Sequence, residues 1–242
     1  MRTRPIPTEI EGISAEVIYH MIDDQEVKTL LIDFGEERPM LSTACGYKRL
    51  RYAANHYIPL VFWEQGLDHN HFDEYLTRVF DSIHQDQKNV AMLVTAVDMD
   101  NLAYRYANYR GLMIGCFATA GVKGNAMRMG VDKAQVEGPG LSPPGTINVI
   151  LFTNANLSDG AMAMALINIT EAKAGVLQDL NIHSVYTPHN IATGTGTDGI
   201  IVTTGRGIGI TSTSGHLKIG ELIGLTVREA VTDALRKQDG LS

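Results

Sequence analysis

The segment over residues 158–177 constrains the fold more than any other stretch of the 242-residue chain. It reads as one helix with Ser158 or Asp159 as N-cap, and through Ile169 it is apolar almost all round, with Met162, Met164, Leu166 and Ile167 set between alanines. A helix without a polar face is expected to be buried, so the chain must lay structure on several sides of it. Apolar runs at residues 146–152 and 200–204 flank it and read as strands, a strand-helix-strand unit.

The rest of the chain supplies the material to surround that unit. Residues 16–20, 27–32 and 39–43 read as successive strands, with Asp23-Asp24-Gln25 and Gly35-Glu36-Glu37 as hairpin turns. A helix is expected over residues 49–56, stopped before Pro59. A second is expected over 72–84, where Phe72, Tyr75, Leu76, Val79, Phe80 and Ile83 recur at helical spacing. Residues 90–96 and 112–118 have the continuous apolar character of strands buried on both faces, with a short helical stretch at 102–108 between them. Residues 131–144, rich in glycine and proline, read as a loop. An amphipathic helix closes the chain, with Ile223, Val227, Ala230, Val231 and Ala234 on one face and Arg236 and Lys237 near its negative end. These elements predict an α+β fold of mixed β-sheets layered with α-helices, antiparallel hairpins first and strand-helix-strand units later, in a single domain over residues 1–242.

Composition narrows the function classes. A hydrophobic fraction of 44% is ample for a core, and a net charge of -7 argues against nonspecific nucleic-acid binding, which needs clustered cations. The one short basic run, Lys48-Arg49-Leu50-Arg51, suits a local anion contact or a solvated turn. Two cysteines, Cys45 and Cys116, make neither a disulfide framework nor a paired-thiolate zinc motif, which points to a reducing compartment. His69, His71 and Asp73 lack the spacing of a metal site, and no metal is expected. No secretory signal and no apolar run of about 20 residues is present, so a cytoplasmic protein without a membrane partner is expected.

Candidate chemistry concentrates between residues 145 and 221. Gly194, Gly196 and Gly199 formally match a dinucleotide fingerprint, but that fingerprint follows a strand and opens a helix, whereas this run feeds a strand. What remains is a loop with a hydroxyl at every second residue, Thr193, Thr195 and Thr197, and glycines that would let a polar ligand or oxyanion approach backbone N–H groups. The plainer alternative is a glycine-rich β-turn. Glu171 and Lys173 bring charge into the end of the apolar helix; either the helix emerges into solvent there or one of them lines a pocket. Two residues apart they diverge by roughly 200°, so at most one points squarely into a given site. His216 stands at the start of the last helix, where an imidazole could transfer a proton or serve structure alone.

Five blocks, in their order and spacing, carry a resemblance: Thr119-Ala120-Gly121-Val122-Lys123-Gly124-Asn125, Gly145-Thr146-Ile147-Asn148, Thr170-Glu171-Ala172-Lys173, Thr193-Gly194-Thr195-Gly196-Thr197-Asp198 and His216-Leu217-Lys218-Ile219-Gly220-Glu221. Together they closely resemble the adenosylcobinamide amidohydrolase (CbiZ) family, over roughly residues 41–242. The resemblance implies hydrolysis of the amide joining the aminopropanol arm to the corrin ring of adenosylcobinamide, giving adenosylcobyric acid for corrinoid salvage. The partner is then a small corrinoid that brings its own cobalt, with no further cofactor required. Whether the chain forms a homo-oligomer stays open.

Such a hydrolysis needs an activated water or nucleophile, donors for the oxyanion, and an acid for the leaving amine. The chain has no Gly-x-Ser-x-Gly motif or convincing Cys–His pair, which by elimination favours water. His216 or Glu171 is expected to activate it, with Lys173 stabilising charge. Thr193, Thr195, Thr197, Asp198 and Asn148 are expected to bond the reacting carbonyl or nearby ring amides, and Asn125 to contact substrate. A corrinoid-binding protein without hydrolysis, or an amidohydrolase for an unrelated amide, are the alternatives.

Overall fold

The computed structural model describes residues 1–65, 67, 71–133 and 145–241. In chain order the elements are β1 (Arg2–Ile6), β2 (Ser14–Ile22), β3 (Gln25–Ser42), β4 (Gly46–Tyr57), α1 (Leu60–Glu64), α2 (Phe72–Ser82), β5 (Val90–Thr95), β6 (Ala103–Tyr109), β7 (Leu112–Ala120), β8 (Ala126–Met127), β9 (Ile147–Thr153), β10 (Asn156–Leu157), α3 (Asp159–Asp179), β11 (Gly194–Thr195), β12 (Gly199–Thr203), β13 (Gly209–Ile210) and α4 (Lys218–Asp239). This is the expected α+β class, with antiparallel hairpins first and the β9-α3-β12 unit later, its two strands parallel neighbours.

β3 is long because it runs through both parts of one nine-stranded hydrogen-bonded sheet, which folds into two stacked sheets. Its first half pairs with β2 on one edge and with the second half of β4 on the other, and β4 in turn pairs with β5. Its last residues, Met40 to Ser42, pair with the start of β4 and with β12, from which the ladder continues through β9 and β7 to β6. Between Asp33 and Arg38 the β3–β4 register shifts. There Gly35 takes a φ of +72° and donates its N–H to Asp33 Oδ1 at 2.7 Å, a local turn that bends the strand without ending it. The expected hairpin at Gly35-Glu36-Glu37 is therefore an irregularity inside one strand. The turn at Asp23-Asp24 is as expected: both residues have positive φ and Ile22 pairs with Gln25, a two-residue hairpin.

Strand alternation stacks these sheets face to face. Val17 and Tyr19, Leu30 and Ile32, Ala53, Phe117, Ile150, Phe152 and Ile201 share one core between the sheets. Their neighbours point the other way: Ile18, Leu31 and Ala54 pack with Phe80 of α2, while Cys116, Ala118, Val149, Leu151 and Val202 pack with α3 and α4. The order of layers is helix, sheet, sheet, helix. Cys116 is wholly buried in the outer core and burial pushes its thiol well up, the behaviour of a small hydrophobe.

Two expected helices are strands. Residues 49–56 lie in β4, where pairing on both edges, with β3 and β5, overrides the helical tendency of Ala53 and Ala54. Residues 102–108 are mostly β6, in which Tyr104 and Tyr106 alternate onto the inter-sheet core. The helix at 158–177 is as long as expected and is capped by Ser158 Oγ, which accepts from Ala161 N at 3.2 Å. It is buried on one face only. Ala161, Met162, Ala165, Ile169, Lys173, Val176 and Leu177 face inward, whereas Met164 and Ile167 are 37% and 50% exposed. Most of the expected 131–144 loop lies outside the described residues. No helix among the described residues is long and apolar enough to cross a membrane.

Candidate active site

At one end of the sandwich the inward-facing rows turn polar. Asn148 continues the row of Ile150 and Phe152 along β9, Thr119 that of Phe117 along β7, and Asn55 that of Ala53 along β4. The register brings them together, since Asn148 lies opposite both Thr119 and Gly199. Asn148 Nδ2 donates to the Val94 carbonyl at 2.8 Å and to Asn55 Oδ1 at 2.9 Å, and Asn55 Nδ2 donates to Thr119 Oγ1 at 2.8 Å. The Val94 carbonyl can only accept, so it fixes the orientation of both amides. All three side chains are buried, and a paired chain of this kind makes their burial tolerable.

Beside this chain lies a second group around the Gly145–Thr146 peptide. The Gly145 carbonyl accepts from Asn125 Nδ2 at 3.0 Å and from Thr197 Oγ1 at 3.3 Å. Asn125 is itself oriented from behind, because its Oδ1 accepts from Tyr186 OH at 3.0 Å. The Thr146 hydroxyl donates to the Thr197 carbonyl at 2.7 Å and lies 3.1 Å from Thr197 Oγ1. Thr146 is only 4% exposed. One hydroxyl, that of Thr197, thus stands between the Thr146 hydroxyl and the Gly145 carbonyl oxygen.

The third group is a brace. Lys173, on the buried face of α3, forms an ion pair with Asp198, with side chains 8% and 14% exposed. Asp198 also accepts from Ile147 N at 3.1 Å, from Thr195 N and, at 2.5 Å, from Thr195 Oγ1. Its carboxylate ties the start of β9, the β11–β12 loop and α3 together, with its acceptor positions already engaged. The glycines of this loop admit these side chains. A Cβ on Gly194 would stand 2.8 Å from Lys173 Nζ and closer still to Asp198, and one on Gly199 would meet Asn148 Oδ1 at 2.7 Å. They serve close approach by the protein's own groups, where the sequence suggested room for a ligand.

The structure thus brings together Asn125, Asn148, Lys173, Thr195, Thr197 and Asp198. Thr193 bonds elsewhere, its Oγ1 accepting from Met129 N at 3.0 Å. Glu171 is exposed on the far side of α3 from Lys173, and His216 is exposed before α4, so both stand outside the cluster. The divergence of about 200° separates Glu171 from Lys173, and the turn closed by Leu217 N on Ser214 O leaves His216 on the surface. The sequence assigned no role to Thr146, Asn55, Thr119 or Tyr186. For Asn55 and Thr119 a signal existed: polar residues on the face that the rest of the strand buries. Tyr186 lies in a segment without periodicity and left none. Among the described residues no group of three or more His, Cys, Asp or Glu side chains is arranged to hold a metal ion; His69 lies outside them.

The fold and this cluster define an α+β protein with amides and hydroxyls gathered at one end of a two-sheet core. The chain belongs to the adenosylcobinamide amidohydrolase family, whose match spans residues 13–242. It is 43% identical over 228 residues to the uncharacterized protein MJ1613 of Methanocaldococcus jannaschii, covering 89% of this chain and 88% of that one. Among solved structures it is similar to the PH0078 protein from Pyrococcus horikoshii OT3, with a TM-score of 0.49 and 9% identity. A second is the L-aminopeptidase D-Ala-esterase/amidase from Ochrobactrum anthropi, with a TM-score of 0.44 and 12% identity. Each comparison covers 94% of this chain and 85% of the other. No residue role follows from so distant a likeness.

Proposed function

We propose that the protein hydrolyses the amide between the corrin ring and the aminopropanol arm of adenosylcobinamide, giving adenosylcobyric acid and the free amine. The family match over residues 13–242 carries this reading. The cluster suits it chemically: amide hydrolysis passes through a tetrahedral oxyanion, and Asn125 Nδ2 and Thr197 Oγ1 already converge on one carbonyl oxygen. Asn148 and Thr195 lie beside them as groups that position the reacting end. Lys173 acts through Asp198 as a positioning residue, since its ammonium is taken up by the ion pair. The cobalt belongs to the substrate.

Incubating the protein with adenosylcobinamide and analysing the products by mass spectrometry tests the reading. Adenosylcobyric acid and aminopropanol in equal amounts are expected. Tight corrinoid binding with no product would replace hydrolysis by a binding role, and faster turnover of simple amides would move the substrate class.

A further inference from the structure

We propose that the Gly145–Thr146 peptide bond cleaves itself and that Thr146, freed as a new amino terminus, is the nucleophile of the amide hydrolysis. The second half rests on the function proposed above; the first stands on geometry alone. Three observations meet at this one peptide bond. Its carbonyl oxygen is held by two side-chain donors, Asn125 Nδ2 and Thr197 Oγ1, the arrangement that stabilises a carbonyl under attack. Its nitrogen belongs to a residue with a buried hydroxyl, and Thr197 Oγ1, 3.1 Å from that hydroxyl and 3.3 Å from the carbonyl oxygen, links the two. The residue before the bond is a glycine with a φ of +139°, where a Cβ would press to 2.9 Å on the Gly121 carbonyl.

The step balances without any outside redox partner. Thr146 Oγ1 attacks the Gly145 carbonyl carbon; its proton passes to Thr197 Oγ1, whose own proton goes to the carbonyl oxygen. The resulting five-membered adduct collapses as its hydroxyl proton returns through Thr197 Oγ1 to the nitrogen, so that the C=O re-forms, the C–N bond breaks to leave an amine on Thr146, and Gly145 is left esterified to the Thr146 oxygen. One water then hydrolyses the ester. The products are a carboxylate at Gly145 and a free α-amine beside a free hydroxyl at Thr146.

Thr146 stays in place after that cut, because its other bonds lie on the far side. Its carbonyl accepts from Gly121 N at 3.0 Å, the next N–H donates to Asp198, and its hydroxyl keeps the Thr197 carbonyl. The new amine supplies what the cluster otherwise lacks: Asp198 is engaged with four donors, and among the described residues no histidine belongs to the cluster. An α-amine, with an ordinary pKa of about 8, accepts the hydroxyl proton as the oxygen attacks and returns it to the leaving amine. The donors released from Gly145 are then the donors for the substrate carbonyl.

Intact-mass analysis and amino-terminal sequencing of the purified full chain test the proposal directly. Two fragments that copurify, the second beginning at Thr146, are expected, whereas Thr146→Ala stays as one chain and loses corrinoid hydrolysis by at least about 10³-fold. Thr146→Ser retains cleavage and guards against misfolding as the cause, and Asn125→Ala slows cleavage by about 10²–10³-fold. A wild-type chain that remains intact on prolonged incubation overturns the proposal, whether or not it hydrolyses corrinoid. So does cleavage of Thr146→Ala at the same bond. Cleavage without corrinoid turnover leaves the self-cleaving bond standing and overturns the substrate reading instead.

Discussion

Asn55 and His56 are neighbours on β4, and they serve opposite kinds of buried polar network. Asn55 faces the inter-sheet end and joins Asn148 and Thr119, next to the Gly145–Thr146 peptide. His56 faces α2 and belongs to a closed chain. Ser82 Oγ meets His20 Nδ1 at 2.7 Å, His20 Nε2 meets Thr29 Oγ1 at 2.9 Å, Thr29 Oγ1 meets His56 Nδ1 at 2.7 Å, and His56 Nε2 meets Tyr75 OH at 2.8 Å. Both networks are buried and internally bonded, so burial of polar groups does not by itself mark a site. The difference lies in what borders them. The histidine chain ends on α2 at both sides, at Ser82 and Tyr75, whereas the asparagine chain includes Asn148, two residues from Thr146, whose preceding carbonyl two donors already hold. One network ties β2, β3 and β4 to α2, and the other ties β4, β7 and β9 together at the end where Thr146 lies.

The largest expected effect tests the closed network through pH. Burial lowers His20 to about 4, and burial followed by the His20 charge lowers His56 to about 3, both from an ordinary 6.5. The folded state therefore favours neutral imidazoles, and the unfolded state takes up more protons as the medium acidifies. Stability from this pair is complete above about pH 6.5 and declines as pH falls toward the folded values. At pH 4.5 the loss is on the order of 4–5 kcal/mol, at about 1.4 kcal/mol per tenfold change in proton affinity. Chemical denaturation at pH 7 and pH 4.5 measures it, and a double variant His20→Gln/His56→Gln should flatten the dependence.

Next in size is Lys173→Met. Removing one member of a buried pair leaves an uncompensated carboxylate, at a cost of about 3–5 kcal/mol. The brace also holds Ile147 N and Thr195, so activity should fall together with the denaturation midpoint. Unchanged stability would mean that Asp198 is held without its ion pair.

Much of this was legible in the chain because strand and helix periods leave marks. The amphipathic α4, the cap at Ser158 and the Asp23-Asp24 hairpin all follow from local chemistry. Residues 49–56 misled because two alanines and a basic run favour a helix, and only long-range pairing with β3 and β5 makes them a strand. At the site, the hydroxyl-bearing loop and Asn125, Asn148 and Lys173 could be picked out as blocks. Their mutual bonds could not, because contacts between residues 55, 119, 125, 148 and 197 depend on how two sheets stack. The glycines 194 and 199 carried the right message, close approach, with the wrong visitor. Thr146 was hidden by its ordinariness, since a threonine opening a strand is common.

Smaller again is Tyr75→Phe, which deletes the hydroxyl that meets His56 Nε2 and leaves a buried ring nitrogen unpaired. A destabilisation of about 1–3 kcal/mol is expected, with kcat/KM within about twofold of the wild type because this network does not border the site. A large loss of activity at unchanged stability would join the two networks into one functional unit.

The smallest effects are expected from Glu171→Gln and His216→Ala, which matter because their residue types suit a base. A general base must come within hydrogen-bond reach of the proton it takes, and these two side chains are exposed and outside the cluster. Solvated surface substitutions cost within about 0.5 kcal/mol, so stability and corrinoid hydrolysis should both stay within about twofold of the wild type. The pH profile of kcat/KM sharpens the point. If the Thr146 amine is the base, the acidic limb reports an amine and is unmoved in His216→Ala. If His216 is the base, that limb disappears with the imidazole and the rate drops by about 10²–10⁴-fold. The second result would draw the surface before α4 into the site and erase the contrast between its position and that of Asn125.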